Sequence, residues 1–239
     1  MMKRILTFLI LLCVYSVTQA ADFEAAYFPI SDSTQVEKKI PALIPRKKEG
    51  RFGYVNHDGR FVIQPEYNVV GFYTEDCNLL NSSNEKVRKF GSADYASVTK
   101  GNVDYRIDKT GKKVYTFKDS DLAMCSPEFK KQRFNAYIQN GYFGLINNET
   151  FNNPMDYRQF VIYPQYEYLY ILEGNDLANP MIVASHNDKF GIIDAQHHII
   201  VPFEYSDIKR NFSWKLAHLF EVTENGTDYF FVDIQNKRY

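Results

Sequence analysis

Apolar and polar positions recur in one short pattern along most of the chain. An aromatic residue and a glycine are followed by two apolar positions, then by Asn or Asp and a polar turn. A second apolar run comes next and closes on a proline and an aromatic residue. The pattern is clear in residues 51–67, 142–166 and 189–205. Two weaker copies, residues 104–115 and 229–233, fit the same frame, so the chain contains about five units.

The Asn or Asp position fixes the spacing of the units. It falls at 56, 108, 147, 194 and 233, which gives intervals of 52, 39, 47 and 39 residues. A basic period near 39 with insertions in two intervals explains these numbers. One insertion spans residues 148–158, and the other lies within the polar stretch 78–94.

Each unit predicts an antiparallel hairpin. The Asn or Asp side chain caps a type I turn, and a glycine takes the left-handed position at its end. The glycine after the aromatic residue leaves space, which we expect a neighbouring ring to fill. The proline is expected to end the second strand, since it cannot donate to a ladder. These structural positions are Phe52, Gly53, Gly59, Pro65, Tyr67, Gly111, Phe143, Gly144, Pro164, Phe190, Gly191 and Pro202.

The first hairpin strand is apolar on both faces in nearly every unit. One face carries Val or Ile in all five copies, and the other is broken only by Asp104 and Arg106. Strands of this kind need cover on both sides, so the units should stack face to face. The sequence therefore predicts an all-β tandem array of antiparallel hairpin or meander repeats in a propeller-like stack. An open β-solenoid is the alternative.

At these residues the chain resembles the WG-repeat (KWG) family of bacterial proteins. The Phe-Gly pairs stand where the family has Trp-Gly, and the Asx-x-x-Gly and Pro-x-Tyr steps are retained in several copies. The resemblance covers about residues 42–239. It implies a β-rich array, and it implies no shared catalytic residues.

The N-terminal residues are predicted to be a leader. Lys3 and Arg4 are followed by an apolar run from Ile5 to Val17 and by small residues up to Ala20, which is typical of a cleaved signal peptide. We therefore expect three segments: a signal peptide at 1–20, an N-terminal segment at 21–41, and the repeat domain at 42–239. The segment 26–31 is apolar enough to serve as a closing strand for the last copy, or as a cap of a solenoid. The mature protein should be periplasmic or secreted, with no membrane span.

Two cysteines, Cys77 and Cys125, remain after such a cleavage. Export allows them to pair, and they lie in neighbouring units, but two unpaired thiols are equally compatible with the sequence. Neither has metal-ligand spacing.

Composition and motifs exclude several functions. The net charge of −1, without a long basic cluster, argues against nucleic acid as a partner. No nucleophile elbow or phosphate-binding loop is present, and His197 and His198 should point to opposite faces of a strand. We expect no enzyme activity, no catalytic residues, no metal and no cofactor.

The expected function is a non-catalytic binding or scaffold module of the bacterial envelope, with another protein as its partner. The inserted loops are the preferred contact regions, and the candidate contact residues are Asn81, Asn148, Tyr163 and Trp214. Tyr163 begins a tyrosine run whose later members are expected in the core, and Trp214 could equally pack on the array. The alternative is an envelope hydrolase or a glycan-binding protein with a site built from loops.

Overall fold

The structure is a computed structural model that describes residues 40–126 and 131–239. In these residues the chain forms 17 strands, arranged in five small antiparallel sheets. This confirms the predicted all-β array of about five units. The leader at 1–20 and nearly all of the segment 21–41 lie outside the described residues.

The strands follow the chain order, and each sheet is a contiguous piece of sequence. Sheet 1 contains β1 (Ile44–Lys48), β2 (Arg51–Val55) and β3 (Phe61–Tyr67). Sheet 2 contains β4 (Val69–Tyr73), β5 (Ala96–Lys100), β6 (Val103–Ile107) and β7 (Lys113–Thr116). Sheet 3 contains β8 (Phe134–Gln139), β9 (Tyr142–Asn147) and β10 (Phe160–Tyr166). Sheet 4 contains β11 (Tyr168–Ile171), β12 (Ile182–His186), β13 (Lys189–Ile193) and β14 (Ile199–Tyr205). Sheet 5 contains β15 (Asp207–Ile208), β16 (Phe220–Thr223) and β17 (Tyr229–Val232).

The helices are short and lie in the connections. They are α1 (Cys77–Leu80), α2 (Glu85–Arg88) and α3 (Ser213–Ala217), with single 3-10 turns at Lys89–Gly91, Asp119–Asp121 and Tyr157–Gln159. Within the described residues, no helix has the length and apolar character needed to cross a membrane.

The strand that follows each Pro-x-Tyr step passes to the next sheet. Strand β4 comes directly after β3, but it pairs with β5. In the same way β11 pairs with β12, and β15 pairs with β16. Because one continuous stretch of chain contributes to two sheets, neighbouring sheets are held together by the backbone as well as by packing.

The predicted turn cap is present in the structure. The Oδ1 atom of Asp108 accepts hydrogen bonds from the backbone N–H groups of Thr110 and Lys112, at 2.9 and 3.0 Å. Asn56, Asp194 and Asp233 make the same pair of bonds at their own turns.

The last turn residue has a positive φ angle in four of the units. Gly59 and Gly111 occupy this position with φ of 75° and 87°, as predicted. His197 and Asn236 occupy it in sheets 4 and 5, with φ of 69° and 59°. Asn and His tolerate the left-handed region better than most residues, so the turn survives without glycine.

The glycine after the aromatic residue allows the backbone of the third strand to approach closely, and only in one unit does a side-chain ring approach it as well. A Cβ atom on Gly144 would lie 2.5 Å from the carbonyl oxygen of Ile162 in the third strand of the same sheet. Gly53 faces the third-strand backbone of its own sheet in the same way. The expectation of a neighbouring ring is met only at Gly191, where the Phe203 ring is close as well.

The proline does not end the strand, which corrects the sequence-based expectation. Pro65, Pro164 and Pro202 lie inside β3, β10 and β14. In each of these strands the pairing register shifts between an upstream residue and the closing tyrosine. A bulge leaves residues out of the ladder, so a residue without an N–H group is tolerated there.

The core consists of apolar clusters between adjacent sheets. Separate clusters join sheet 1 to sheet 2, sheet 3 to sheet 4, and sheet 4 to sheet 5. A fourth cluster joins sheet 1 to the end of the chain, because Ile44 and Val55 pack with Leu219 and Tyr239. The first and last units are thus in contact, which favours the propeller-like stack over an open solenoid.

Candidate interaction surface

Sheets 2 and 3 differ from the other neighbouring sheets. Among the apolar clusters formed by residues 40–126 and 131–239, none joins these two sheets. The reason lies in the second unit, where the face that would meet sheet 3 carries Asp104 and Arg106 in place of apolar residues.

Arg106 is fixed inside its own unit. Its side chain is almost fully buried, and its guanidinium donates to the carbonyl oxygens of Thr74, Ser92 and Tyr95 at 2.9 to 3.1 Å. Burial lowers the pKa of Arg106, and the nearby Asp76 carboxylate opposes that shift. The guanidinium therefore binds the segment between β4 and β5 of its own unit and, among the described residues, makes no hydrogen bond to sheet 3.

The third unit keeps much apolar surface exposed. Six of the fourteen large apolar side chains that are exposed in the described residues fall within residues 134–166. They are Ile138, Tyr142, Met155, Tyr157, Val161 and Tyr163. Ile146 shows the same effect, because it is only half-buried while its counterparts Val55, Ile107 and Ile193 are fully buried.

Four rings form a continuous aromatic cluster on this unit. Tyr137 on β8 contacts Phe151 in the insertion and Phe160 on β10, with ring centroids 5.0 and 5.6 Å apart. Phe160 in turn contacts Tyr163 at 5.4 Å, in an edge-to-face arrangement. Phe160 is buried, whereas Tyr163 is 51% exposed. The cluster is therefore packed into the unit through Phe160 and accessible to solvent at Tyr163.

The insertion at 148–158 is tied to the sheet at both ends. The Asn148 side chain donates to the carbonyl oxygen of Gln132 at 2.9 Å. At the other end, the Gln159 side chain accepts bonds from the backbone of Asn152 and Asn153. Between these anchors the loop presents Met155 and Tyr157, which are 85% and 71% exposed. We call Met155, Tyr157, Val161 and Tyr163 the third-unit patch.

Of the four contact residues predicted from sequence, the structure places two in or beside this patch. Tyr163 belongs to it, and Asn148 holds the base of its loop. The later tyrosines of the run are only partly in the core, since Tyr166 is buried but Tyr170 is 41% exposed. Met155 and Tyr157 were not predicted, although two large apolar side chains in a polar insertion were a visible signal.

Asn81 lies elsewhere, in the insertion of the second unit. Its side chain donates to the carbonyl oxygen of Met124 at 3.3 Å. In the structure Cys77 and Cys125 form a disulfide with their Cα atoms 5.5 Å apart. The disulfide ties α1 to the stretch that follows β7, and the bond from Asn84 to Asp121 at 3.1 Å reinforces that connection.

Trp214 packs on the array. Its ring stacks on Phe220 with centroids 4.8 Å apart, and it is half-buried against the cluster between sheets 4 and 5. The Trp214 ring also packs against Gly174, because a Cβ atom added to Gly174 would lie 3.1 Å from the Nε1 atom of Trp214. Beside it is a cavity of about 240 Å³ whose lining includes Glu173, Asp176 and Lys215.

Three charged groups of this cavity have partners. Lys215 pairs with Glu173 at 3.0 Å, and Asp176 accepts from the backbone N–H groups of Ala178 and Asn179. Within the two described ranges, no three His, Cys, Asp or Glu side chains are grouped to hold a metal ion. His198 is bound to Asp194 at 2.9 Å, and His197 lies 2.6 Å from the Tyr166 hydroxyl.

These features define a class: an all-β protein built of tandem hairpin units, with one unit that leaves apolar surface exposed. The family model of the WG containing repeat matches residues 52–77 and 190–214. These matches fall in the first and fourth units and confirm the resemblance seen in the sequence. Comparison with curated proteins finds no match.

Proposed function

We propose that this chain is a non-catalytic protein-binding module of the bacterial envelope, and that the third-unit patch is its contact surface. The observation that carries the proposal is the concentration of exposed apolar side chains in residues 134–166. Tyrosine and methionine are enriched at protein interfaces, and contiguous exposed apolar surface is typical of binding sites.

The chemistry of the patch favours a protein over a glycan. Sugars are usually held by exposed aromatic faces, and the one tryptophan of the chain is stacked on Phe220. The patch combines Met155 and Tyr157 on a tethered loop with Tyr163 on a strand. The strand can supply a rigid hydrophobic anchor for a partner, and the loop can adapt to the partner's surface.

The proposed compartment rests on two features. The first twenty residues have the charge and apolar pattern of a signal peptide. The disulfide between Cys77 and Cys125 would persist in an oxidising compartment and is uncommon in the cytosol. Both support export.

The cavity near Trp214 gives little support to the alternative of a hydrolase or glycan-binding site. A catalytic carboxylate must be free to exchange a proton with the substrate, and its pKa is usually shifted for that task. Glu173 is held by Lys215, and Asp176 caps its own loop.

Site-specific photo-crosslinking in cells that produce the protein tests the proposal. A photoreactive phenylalanine analogue replaces Tyr157 or Tyr163, and the same analogue at Tyr170 on sheet 4 is the matched control. We expect one adduct of defined mass at both patch positions and none at Tyr170. Adducts of the same kind at all three positions, or at none, would contradict the proposal.

A further inference from the structure

Three methionines lie in the described residues, and they differ in how far water reaches them. Met124 and Met155 are 91% and 85% exposed, whereas Met181 is buried in the cluster between sheets 4 and 5. An oxidant dissolved in water meets a thioether at the surface directly, but it meets a buried one only after local opening of the fold. Met124 and Met155 are therefore the accessible sulfur atoms among these three.

The chain presents Met155 at the tip of a fixed turn. The N–H group of Asp156 donates to the carbonyl oxygen of Asn153 at 3.1 Å, which closes the turn. The Asn153 side chain accepts a second bond, from the N–H group of Met155 at 3.0 Å. Asn and Pro are favoured at the first two positions of such turns, and Pro154 follows Asn153. The backbone of Met155 is thus held while its side chain extends into solvent.

Hydrogen bonds on either side keep this turn in place. The Asp156 carboxylate accepts from the backbone N–H group and the guanidinium of Arg158, at 2.8 to 3.2 Å. The Gln159 side chain accepts from two backbone N–H groups at the start of the turn, each at 3.0 Å. These bonds join backbone groups and neighbouring side chains, so a chemical change at the Met155 sulfur leaves them intact.

We propose that Met155 is a site of reversible oxidation by hydrogen peroxide, and that its oxidation switches off binding by the third-unit patch. In this reaction a lone pair of the Met155 Sδ atom attacks one oxygen of the peroxide. The S–O bond forms as the O–O bond breaks, and the departing hydroxide takes the proton of the transferred oxygen and becomes water. The sulfur is oxidised by two electrons to the sulfoxide, and the peroxide is reduced by two.

The sulfoxide would change the chemistry of the patch at its most exposed side chain. Met155 is 85% exposed, more than the other three members of the patch. A thioether is apolar and adapts to the surface that it contacts. A sulfoxide oxygen is a strong hydrogen-bond acceptor, and burying it against a partner without a donor costs free energy. Because only a surface that binds a partner can be switched off, the inference rests on the proposed function.

Peptide mapping by mass spectrometry tests the accessibility of the sulfur in the folded protein. After limited treatment with hydrogen peroxide, we expect sulfoxide to form at Met155 and Met124 at least about tenfold faster than at Met181, which requires local opening. A methionine sulfoxide reductase should then return Met155 to the thioether. Oxidation of Met155 as slow as that of Met181 would overturn the proposal.

Photo-crosslinking tests the effect of the oxidation on binding. The purified protein carries the photoreactive phenylalanine analogue at Tyr157, is oxidised and freed of peroxide, and is then irradiated in envelope extract. We expect oxidation to lower the yield of the adduct at least about tenfold, because a polar group replaces an apolar contact. The yield should fall equally in the Met124→Leu variant and stay unchanged in Met155→Leu, since leucine has a similar volume and no sulfur. Treatment with the reductase should restore the yield.

The outcomes separate this inference from the proposed function. An adduct yield that is unchanged by complete oxidation of Met155 would overturn the inference and leave the binding surface standing. An equal loss in the Met155→Leu variant would overturn it too, because another oxidised group would then be responsible. If the unoxidised protein gave no adduct, the proposed function would be contradicted, and the inference would fail with it.

Discussion

At the scale of single residues, the repeat depends on close approaches that only certain side chains permit. The glycine of the second strand lies under the bulged third strand, and the proline lies in the bulge. Four of the five turn anchors satisfy two backbone donors each. The two features explain why glycine, proline and Asx residues recur at fixed intervals while the apolar residues between them vary.

Gly144→Ala tests the close approach. A Cβ atom there would lie 2.5 Å from the Ile162 carbonyl oxygen, so the strands must move apart. We expect the free energy of unfolding to fall by about 1–3 kcal/mol in urea denaturation, as for other overpacked sites. Gly71→Ala is the control, because its Cβ would lie 3.5 Å from Ser97, an ordinary contact. Equal effects of the two substitutions would show that the approach is not tight.

His197 should make the stability depend on pH. Burial lowers the pKa of His197, with Asp194 opposing and His198 adding to the shift. Because the folded state binds the proton less well than the unfolded chain, stability is complete above the unfolded pKa of about 6.5 and falls as the pH drops below it. The melting temperature should therefore decrease between pH 7.5 and pH 5.5.

His197→Asn is the matched variant for this titration. In sheet 5, Asn236 also has a positive φ, and its side chain accepts a hydrogen bond from the Tyr205 hydroxyl at 2.6 Å. His197 makes the equivalent contact with the Tyr166 hydroxyl. The variant should fold and should lose less stability between pH 7.5 and pH 5.5. An unchanged pH profile would show that another group is responsible.

At the scale of elements, the hairpins could be predicted because their signals are local. An Asx-x-x-Gly turn and two-residue periodicity act over a few positions, so residues 51–67 and 189–205 were correctly read as strands. The pairing of β4 with sheet 2 could not be predicted from the sequence. It depends on β5, which follows β4 only after 22 intervening residues. The proline was misread because a bulge depends on the partner strand.

The insertion of the second unit is held by its disulfide. Replacing Cys77 and Cys125 by serine opens a loop whose ends are 48 residues apart. The chain-entropy model predicts a loss of up to about 4 kcal/mol in the free energy of unfolding. Reducing agent should lower the stability of the native protein by a similar amount and leave the double variant unchanged. Insensitivity of the native protein to reduction would argue against the bond.

At the scale of the whole molecule, the units cover one another around the stack except between sheets 2 and 3. The sequence contained the signal, because Asp104 and Arg106 interrupt a face that is apolar in the other units. The exposed apolar surface of the third unit could be recognised only from the structure. The proposed contact surface was therefore only partly predictable, through Tyr163 and Asn148.

The contact of the first and last units is measured most directly by nuclear Overhauser effects between assigned aromatic side chains. The ring centroids of Phe72 and Phe231 lie 5.3 Å apart, and those of His57 and Tyr239 lie 5.5 Å apart. We predict cross-peaks for both pairs, alongside the Tyr54–Tyr73 cross-peak between the neighbouring sheets 1 and 2, at 5.2 Å, as an internal reference. Detection of the reference peak without the other two would contradict a stack that returns to its first unit.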